Sequence, residues 1–400
     1  MRVFVIEPDG AGGMVHYAYQ LCTALADQGA DVTLITGRHY ELASLPHNFT
    51  VEPRMDLWPA VGEALPASRP TAVVAGLYRR VRRAVRGLRY AIEWYRLTRY
   101  LVAERPDVVQ FAIIRFPFQA IFLRRLRRAG ITLTQICHEF EPRERGVLTR
   151  SINRWQSRAL YQSFDRIYLH GEESRRSFLE AFDIDPALTT TIHHGNEAMF
   201  LDLVAAENDS RKRYALPPDV PVCLFFGGLR PSKGIEDLIS AWRLVVDETD
   251  AHLIVCGQPA GIEPSSLEEL VSRLGLSGSV TIDAGYLPLD KVSGLFDIAQ
   301  VVALPYRSAT ASGVLQLAYT FGKPVVATAI GALAEDVHDG HTGFLVEPGD
   351  IAELGRALVK VLSDPAEASR MGLAARSESK RFDWGPIAAA IASDYREMST

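Results

Sequence analysis

The second half of the chain alternates short apolar runs with longer amphipathic segments, and this alternation limits the fold more than any other feature. The apolar runs are PVCLFFGG, AHLIVCG, VTIDAG, VVALPY and PVVATA, and segments with helical spacing separate them. Short apolar runs bounded by turn residues predict buried strands, and the segments between them predict helices. The repetition therefore predicts a parallel sheet with helices on both faces, which is a doubly wound α/β domain.

The first half of the chain opens in the same way. RVFVI at residues 2–6 predicts a buried strand, and a glycine-rich turn follows it. VHYAYQLCTALADQG then predicts a helix that ends at Gly29, before the strand DVTLITG. A single hydrophobic core stops growing at roughly 250–300 residues, so a chain of 400 residues is expected to form two domains.

We place the linker between the domains in the polar, irregular stretch 201–218, which contains the pair Pro217-Pro218. The predicted domains are residues 1–198 and 199–382, with a final helix over about 383–400 that packs back on the first domain. Both domains are expected to be Rossmann-like and to face a cleft. Ligands of such sheets bind beyond the carboxyl ends of the strands, so the chemistry should lie on the loops that follow them.

Arginine is concentrated in residues 77–128, which hold 14 arginines and three acidic residues. Apolar residues interleave with these arginines at near-helical spacing, which is typical of a basic amphipathic helix on an anionic membrane surface. The alternative is a long solvated helix within the first domain. Nucleic acid is not expected as a partner, because no recognition motif accompanies the charge.

Other features of the sequence favour a cytoplasmic protein. The chain has no run of 18 uncharged apolar residues, and its N-terminus, MRVFVIEPDG, lacks the basic start and cleavage site of a signal peptide. The four cysteines lie far apart and none forms a CxxC pair, which favours buried reduced thiols. Any contact with the inner face of the cell membrane is therefore expected to be peripheral.

Three loops that join a strand to a helix are suited to holding an anion, and the first is Gly10-Ala11-Gly12-Gly13. Gly12 and Gly13 would let a ligand approach the backbone closely. A dinucleotide fingerprint needs a small residue where Val15 stands, and an acid after the second strand, where Thr36-Gly37-Arg38 stands. A nicotinamide cofactor is therefore disfavoured. The alternative for this loop is a tight turn without a ligand.

The other two loops lie in the second half. FGGLRPSKG at residues 226–234 carries Arg230 and Lys233 among glycines, which suits a diphosphate: arginine offers a fork to one phosphate and lysine a point charge to the other. PYRSATASGV at residues 305–314 exposes the first amides of a helix, which again favours an anion. The alternatives are two solvated surface cations and an ordinary helix cap at Ser312.

These segments resemble the family 4 retaining glycosyltransferases, which have the glycosyltransferase B fold. The similar stretches in the second half are FFGGLRPSKGIEDLISAW, PYRSATASGVLQLAYTFGKPVVAT, IGALAE and HTGFLVEPGD, and they extend over roughly 180 residues. The first half is similar more loosely, through GAGGMVHYAYQL, CHEFEPRERG and IHHGNEAMF. The resemblance implies a nucleotide-diphosphate sugar as donor substrate, no cofactor, and an acceptor bound by the varied first half.

The resemblance also implies roles for individual residues. Arg230 and Lys233 would bind the donor diphosphate, and His138 would lie near the transferred sugar. The remaining donor-binding residues implied by the resemblance are Gly12, Gly13, Ser312, Gly313, Val314 and Glu335. His194 and Tyr306 are two further candidates. No spacing resembles a zinc site, and no Asp-x-Asp follows a strand in the second half, so a reaction without metal is expected.

One departure from the family pattern affects the donor site. Many relatives carry two glutamates eight residues apart in the third loop and its helix, and these positions are Ala309 and Leu317 here. The carboxylates that would bind the ribose and the sugar therefore cannot be assigned.

The leading hypothesis is transfer of a sugar to an acceptor hydroxyl, with retention of configuration, in the assembly of a cell-surface polysaccharide or glycolipid. The acceptor would be a carbohydrate or lipid-linked molecule. Two alternatives remain open. One is a nucleotide-sugar 2-epimerase of the same architecture, and the other is a catalytically weak scaffold that binds a sugar nucleotide.

Overall fold

The computed structural model describes residues 1–55, 72–114, 116–140, 157–203 and 210–399, with the side chains of the long helix after residue 71 described from residue 87. Within these ranges the chain divides into two compact units. The first comprises Met1–Leu169, Arg175–Ile192 and Trp384–Thr400, and the second comprises His170–Ser174 and His193–Asp383. The sequence placed the boundary between residues 198 and 199, whereas the compact units meet between residues 192 and 193.

The first unit is built on a seven-stranded sheet. Its strands are β1 (Arg2–Ile6), β2 (Asp31–Gly37), β3 (Thr50–Met55), β4 (Val108–Phe111), β5 (Thr132–Cys137), β6 (Arg166–His170) and β7 (Thr189–Ile192). Their order in the sheet is β3-β2-β1-β4-β5-β6-β7. The pairs from β3 through to β6 run parallel. The helices are α1 (Gly13–Asp27), α2 (Ala72–Glu104), α3 (Gln119–Arg128) and α4 (Glu172–Phe182), of which residues 172–174 belong to the second unit.

The second unit is built on a six-stranded parallel sheet of the order β10-β9-β8-β11-β12-β13. Its strands are β8 (Val222–Phe226), β9 (His252–Gly257), β10 (Val280–Ala284), β11 (Val301–Leu304), β12 (Val325–Thr328) and β13 (Gly343–Val346). The helices are α5 (Ser210–Arg213), α6 (Ile235–Glu248), α7 (Pro264–Arg273), α8 (Leu289–Ile298), α9 (Gly313–Thr320), α10 (Gly331–Asp336), α11 (Ile351–Leu362) and α12 (Pro365–Glu378). The last helix of the chain, α13 (Trp384–Ser399), belongs to the first unit.

Side chains on β1 alternate between two cores, as the period of a strand requires. Val3 and Val5 face one cluster, which includes residues of α1 and α13, whereas Phe4 and Ile6 face another, which includes residues of α2 and α3. Helices thus cover both faces of the first sheet. In the second unit every residue of β11 and β12 is buried, because helices cover that sheet on both faces as well.

The predicted class, two Rossmann-like doubly wound domains, is confirmed by the two parallel sheets. The arginine-rich stretch 77–128 does not form one helix, since it extends over α2, β4 and α3. Among the helices of the described ranges, none is both long enough and apolar enough to cross a membrane.

Candidate functional site

The second sheet brings two of the predicted loops together. Its strand order reverses between β8 and β11, which lie side by side in the sheet. The chain leaves the carboxyl ends of these strands in opposite crossover directions, and this leaves a crevice that commonly binds ligands. The loop after β8 contains residues 227–234, and the loop after β11 contains residues 305–312. We refer to them as the β8 loop and the β11 loop.

Backbone contacts join the two loops. Gly234 has a φ of +64°, and a Cβ on this residue would lie 1.9 Å from the carbonyl oxygen of Pro305. Only glycine allows this approach, both for its backbone angle and for its lack of a side chain. The Arg307 N–H also donates to the Ser232 carbonyl oxygen at 2.8 Å. The loops therefore hold each other in place without a ligand.

Lys233 and Tyr306 meet where the loops join. The Lys233 ammonium lies 3.6 Å from the centre of the Tyr306 ring. This ring is fully buried, and its hydroxyl lies 3.3 Å from the Ser312 hydroxyl, so the lysine rests on a rigid base. The contact restricts where the ammonium can go, since the face of an aromatic ring attracts a cation. The structure thus brings Lys233, Tyr306 and Ser312 together.

Helix α9 begins beside these groups. The Ser312 hydroxyl accepts the Leu315 N–H at 3.2 Å, which is the usual side-chain cap of a helix. The amides of Gly313 and Val314 belong to the first turn, where helix geometry provides no partner within the helix. The Val314 Cγ2 lies 3.7 Å from the position that a Cβ on Gly227 would take. The helix start is therefore packed directly against the β8 loop.

Two arginines behave differently at this site. The Arg230 side chain is exposed and folds over Gly228, where a Cβ would lie 3.6 Å from its Nε. Arg307, which the sequence did not single out, makes a two-pronged ion pair with Asp237 on α6, at 2.8 and 2.7 Å. This pair links the β11 loop to the helix that follows the β8 loop. The sequence signal available for this ion pair was the acid Asp237 in the first turn of that helix.

His194 lies against the start of α9. Its Cε1 and Nε2 atoms are 3.5 and 3.7 Å from the position of a Cβ on Gly313, and the Glu197 Oε1 is 3.6 Å from the same point. The His194 Nδ1 lies 3.0 Å from the Gly195 carbonyl oxygen. Burial lowers the pKa of His194 to about 4. The ring is therefore neutral at pH 7, and because a carbonyl oxygen can only accept, its Nδ1 carries the hydrogen.

Glu335 caps a helix in this structure. Its Oε1 accepts the Glu173 N–H at 2.7 Å, and its Oε2 accepts the Glu172 N–H at 3.3 Å. These two amides lie in the first turn of α4, where a carboxylate satisfies donors that lack partners within the helix. The carboxylate that the resemblance assigned to the nucleotide thus holds protein amides here.

The glycine-rich loop of the first unit contains a carboxylate that the sequence analysis did not identify. The Gly12 N–H donates to the Glu41 Oε1 at 2.5 Å, and the same oxygen lies 2.6 Å from the His16 Nε2. The backbone amide of Glu41 in turn donates to the Gly10 carbonyl oxygen at 2.9 Å. A carboxylate of the chain thus occupies the amide of Gly12 at the start of α1. No atom from elsewhere in the described residues lies within 4 Å of the position that a Cβ on Gly13 would take.

His138 follows β5 in the first unit. Its ring meets the Tyr17 ring edge to face, with 4.5 Å between centroids, and Tyr17 also contacts Trp384 on α13 at 4.8 Å. The Tyr17 ring on α1 thus packs against both His138 and α13. The segment that follows it, residues 141–156, lies outside the described residues.

Comparison with known proteins places the whole architecture in a family. The profile of the family described as Glycosyltransferase Family 4 matches residues 11–197, and the profile described as Glycosyl transferases group 1 matches residues 206–378. The chain belongs to the family 4 glycosyltransferases. This confirms the resemblance drawn from the motifs.

The curated relatives and the solved structures agree with this family assignment. The D-inositol 3-phosphate glycosyltransferase of Streptomyces bingchenggensis is 30% identical over 242 residues, which are 58% of this chain and 53% of the relative. The chain spans about half the length of the curated relatives it matches.

Solved structures share the complete fold. Anabaena Alr3699/HepE in complex with UDP-glucose has a TM-score of 0.73 at 19% identity, over 99% of this chain and 100% of that one. WaaG, a glycosyltransferase involved in lipopolysaccharide biosynthesis, has a TM-score of 0.68 at 17% identity, over 99% of both chains. The chain therefore has the glycosyltransferase B fold.

The departure from the family pattern at residues 309 and 317 has a structural setting. The carbonyl oxygen of Ala309 lies 2.2 Å from the position of a Cβ on Gly331, so the backbone at 309 packs against the start of α10. Leu317 is buried within the core of the second unit. Neither position has an acid, and the described residues contain no group of three metal-binding side chains.

Proposed function

We propose that this protein transfers a sugar from a nucleotide-diphosphate sugar to a hydroxyl group of an acceptor. The observation that carries the proposal is the meeting of the β8 loop and the β11 loop, which sets Lys233 and Tyr306 beside the first amides of α9. A diphosphate needs a cation and N–H donors close together, and this site offers both. The presence of UDP-glucose in a solved protein of the same fold supports the proposal.

In the proposed reaction the bond between the anomeric carbon and the diphosphate breaks while the acceptor oxygen bonds to that carbon. The acceptor proton passes to the departing phosphate oxygen, and the configuration is retained. The negative charge that develops on the diphosphate is stabilised by Arg230, Lys233 and the positive end of α9, so the reaction proceeds without metal. His138 hydrogen-bonds the transferred sugar.

The test is to incubate the protein with a panel of radiolabelled nucleotide sugars and a membrane extract as acceptor, with and without EDTA. We expect labelled product in both, with the donor's anomeric configuration by NMR. An inverted product would contradict retention, and loss of activity in EDTA would contradict the reaction without metal. Epimerised donor would identify a nucleotide-sugar epimerase, and binding of donor without turnover would identify a scaffold.

A matched pair of lysine variants tests the diphosphate site. Lys233→Met should weaken donor binding by roughly 1.5–3 kcal/mol, the usual value of a hydrogen bond to a charged group. Lys360→Met is the control, because the Lys360 ammonium also lies over an aromatic ring, 4.3 Å from the centre of Phe344. It should leave donor binding unchanged. Equal effects of the two substitutions would contradict the assignment of Lys233.

We further propose that the acceptor is lipid-linked and that the first unit contacts an anionic membrane. Six of the nine large hydrophobic side chains that are exposed in the described ranges lie close together in sequence: Leu88, Ile92, Tyr95, Phe116, Phe118 and Ile121. Leu88, Ile92 and Tyr95 share one face of α2. Tyr90 lies on the opposite, buried side of that helix and contacts Phe116 and Phe118, with 5.1 and 5.8 Å between ring centroids, so the segment before α3 packs against α2.

Exposed arginines on α2 and α3 interleave in sequence with these apolar side chains. They are Arg89, Arg96 and Arg99 on α2 and Arg124, Arg125, Arg127 and Arg128 on α3. Near an anionic surface each arginine contributes about 1 kcal/mol of attraction, and the apolar side chains add burial in the interface. The earlier part of the stretch, with Leu77, Tyr78, Val81 and Val85, lies outside the residues whose side chains are described.

Vesicle sedimentation tests the membrane proposal. The protein should pellet with phosphatidylcholine vesicles that contain phosphatidylglycerol and remain in solution with phosphatidylcholine alone. Ile121→Ser should weaken this binding, whereas Leu373→Ser should not. These residues are 67% and 70% exposed, and Leu373 lies on α12, in the second unit. Equal binding to both kinds of vesicle would show that the arginines play no part.

A further inference from the structure

Helix α9 has no acidic side chain, so the helix itself offers no carboxylate to a pair of adjacent hydroxyl groups beside its first turn. On an α-helix, residues 313, 317 and 320 share one face, with residue 316 at its border. Side chains of this face are Leu317, which is buried, and Thr320. A carboxylate beside this turn has to come from another part of the second unit.

Glu197 lies along this face of α9. Its backbone N–H donates to the Thr320 Oγ1 at 3.2 Å, at the carboxyl end of the helix. Its Oε1 lies 3.6 Å from the Cβ position of Gly313, at the amino end. The side chain therefore extends from one end of the face to the other and ends beside the first turn. Glu197 is 4% exposed, so its surroundings hold it in this arrangement.

The carboxylate lies at the flank of the helix and not at its tip. A Cβ points outward from the helix axis, whereas the first amides point along the axis, out of the amino end. A phosphate bound to the amides of Gly313 and Val314 would therefore lie at the tip of the helix. Glu197 would lie beside the group that is attached to this phosphate. A nucleotide sugar carries ribose on one side of its diphosphate and the sugar on the other, and both have adjacent hydroxyl groups.

His194 presents a second acceptor at the same point. Its Nδ1 carries the hydrogen, so its Nε2, 3.7 Å from the Cβ position of Gly313, has a lone pair at neutral pH. The His170 ring packs on it with 5.1 Å between centroids. A carboxylate and a neutral imidazole nitrogen both accept hydrogen bonds, and a hydroxyl group is the donor that suits them.

We infer that Glu197, with His194 beside it, binds a pair of adjacent hydroxyl groups of the nucleotide sugar and takes the place of the acids missing at positions 309 and 317. The inference rests on the proposed function, because it requires a diphosphate at the start of α9. The hydroxyl pair belongs either to the ribose or to the transferred sugar, and the probes below distinguish these sources.

The experiment measures the affinity of the full chain for UDP and GDP by calorimetry, and then uses the tighter nucleotide in three forms: unmodified, 2′-deoxy and glucose-conjugated. If Glu197 binds the ribose, the wild-type protein should bind the 2′-deoxy form at least about 10-fold more weakly, the lower end of the usual loss of a hydrogen bond to a charged group. If Glu197 binds the sugar, the conjugate should bind about 10-fold more tightly than the diphosphate alone.

Each comparison gives a ratio of two affinities: unmodified nucleotide to its 2′-deoxy form, or glucose conjugate to unmodified nucleotide. In either case, Glu197→Gln should bring the affected ratio towards one, while the thermal midpoint stays near the wild-type value. Should the variant fail to fold, Gly313→Ala provides the same test. Its methyl group would lie at ordinary contact distances of 3.5–3.7 Å from His194 and Glu197, so it covers their polar atoms without a clash. Asp336→Asn is the control, as a second buried carboxyl of this unit that should leave both ratios unchanged.

A wild-type ratio in both Glu197→Gln and Gly313→Ala would overturn the inference. Failure of the proposed function gives a different result. If the wild-type protein binds neither diphosphate, the donor site itself is wrong. If it binds one diphosphate, Lys233→Met weakens that binding and Glu197→Gln keeps the wild-type ratio, then only the inference about Glu197 fails.

Discussion

Replacing Gly234 by alanine should separate the β8 loop from the β11 loop. A Cβ at this position would lie 1.9 Å from the Pro305 carbonyl oxygen, whereas real Cβ atoms essentially never approach closer than 3.0 Å. The two atoms must therefore move apart by at least ~1.1 Å. The Cβ is bonded to the backbone and the oxygen is part of it, so rotation of a side chain cannot relieve the contact. The backbone of the β8 loop or of the β11 loop has to shift.

The shift would reach the site directly, because Pro305 precedes Tyr306, on which Lys233 rests. A misplacement of about 1 Å near a reacting centre costs on the order of 100-fold in rate. We therefore expect Gly234→Ala to lower kcat/KM for the donor by about 100-fold. Alanine in a left-handed conformation adds ~1–2 kcal/mol of local strain, which lowers the thermal midpoint of the second unit.

Gly275→Ala is the matched control for that strain. Gly275 has a φ of +70°, close to the +64° of Gly234, but no atom lies within 4 Å of its Cβ position. It should lower the thermal midpoint by a similar amount and leave donor kinetics unchanged. Calorimetry and initial rates on the two variants separate strain from displacement. The reasoning fails if Gly234→Ala keeps wild-type kinetics, or if Gly275→Ala loses as much.

Three further predictions follow from single contacts. Asp237→Asn should weaken nucleotide binding up to about fivefold, since a half-exposed ion pair with Arg307 is worth ~0.2–1 kcal/mol. The swapped pair, Asp237→Arg with Arg307→Asp, should recover part of the lost affinity. No change of affinity in the single variant would show that the ion pair does not position the loop. Glu41→Ala should let inorganic phosphate bind the start of α1, seen as a phosphate-dependent NMR shift of the Gly12 amide that the wild type lacks; the same shift in the wild type would disprove that Glu41 excludes anions. His194 has a pKa of about 4 in the folded protein against about 6.5 when unfolded, so its contribution to stability is complete above pH 6.5 and is lost as the pH falls towards 4. His194→Gln should flatten the curve of unfolding free energy against pH over this range. Parallel curves for the two proteins would show that His194 does not cause this pH dependence.

The strands that form the site could be predicted from local pattern, because each is a short apolar run buried on both faces. PVCLFFGG at 221–228 contains β8, and VVALPY at 301–306 contains β11. The hydrophobic pattern did not reveal β3, whose segment TVEPRM contains a proline and charged residues and is largely exposed. An edge strand tolerates such residues, since only one of its sides must pair.

The contacts that shape the site could not be read from the sequence. Glu41 and Gly12 are separated by 29 residues, Arg307 and Asp237 by 70, and Glu335 and Glu173 by 162. Each contact depends on which loops the strand order brings together. Local spacing identifies the loops as strand-to-helix turns, but pairing between loops appears only when the order of the sheet is known.

The same architecture in the two units has opposite electrostatic consequences. Both sheets reverse their order beside the first strand, and both place a helix start after a glycine-rich or small-residue loop. In the first unit the carboxylate of Glu41 accepts an amide at the start of α1, so a phosphate arriving there would meet a negative charge at hydrogen-bonding distance. In the second unit a neutral hydroxyl, that of Ser312, caps α9, and Lys233 lies beside it. The fold alone would allow an anion at either helix. The capping residues decide between them, and they favour the second unit for the diphosphate that the proposed function requires.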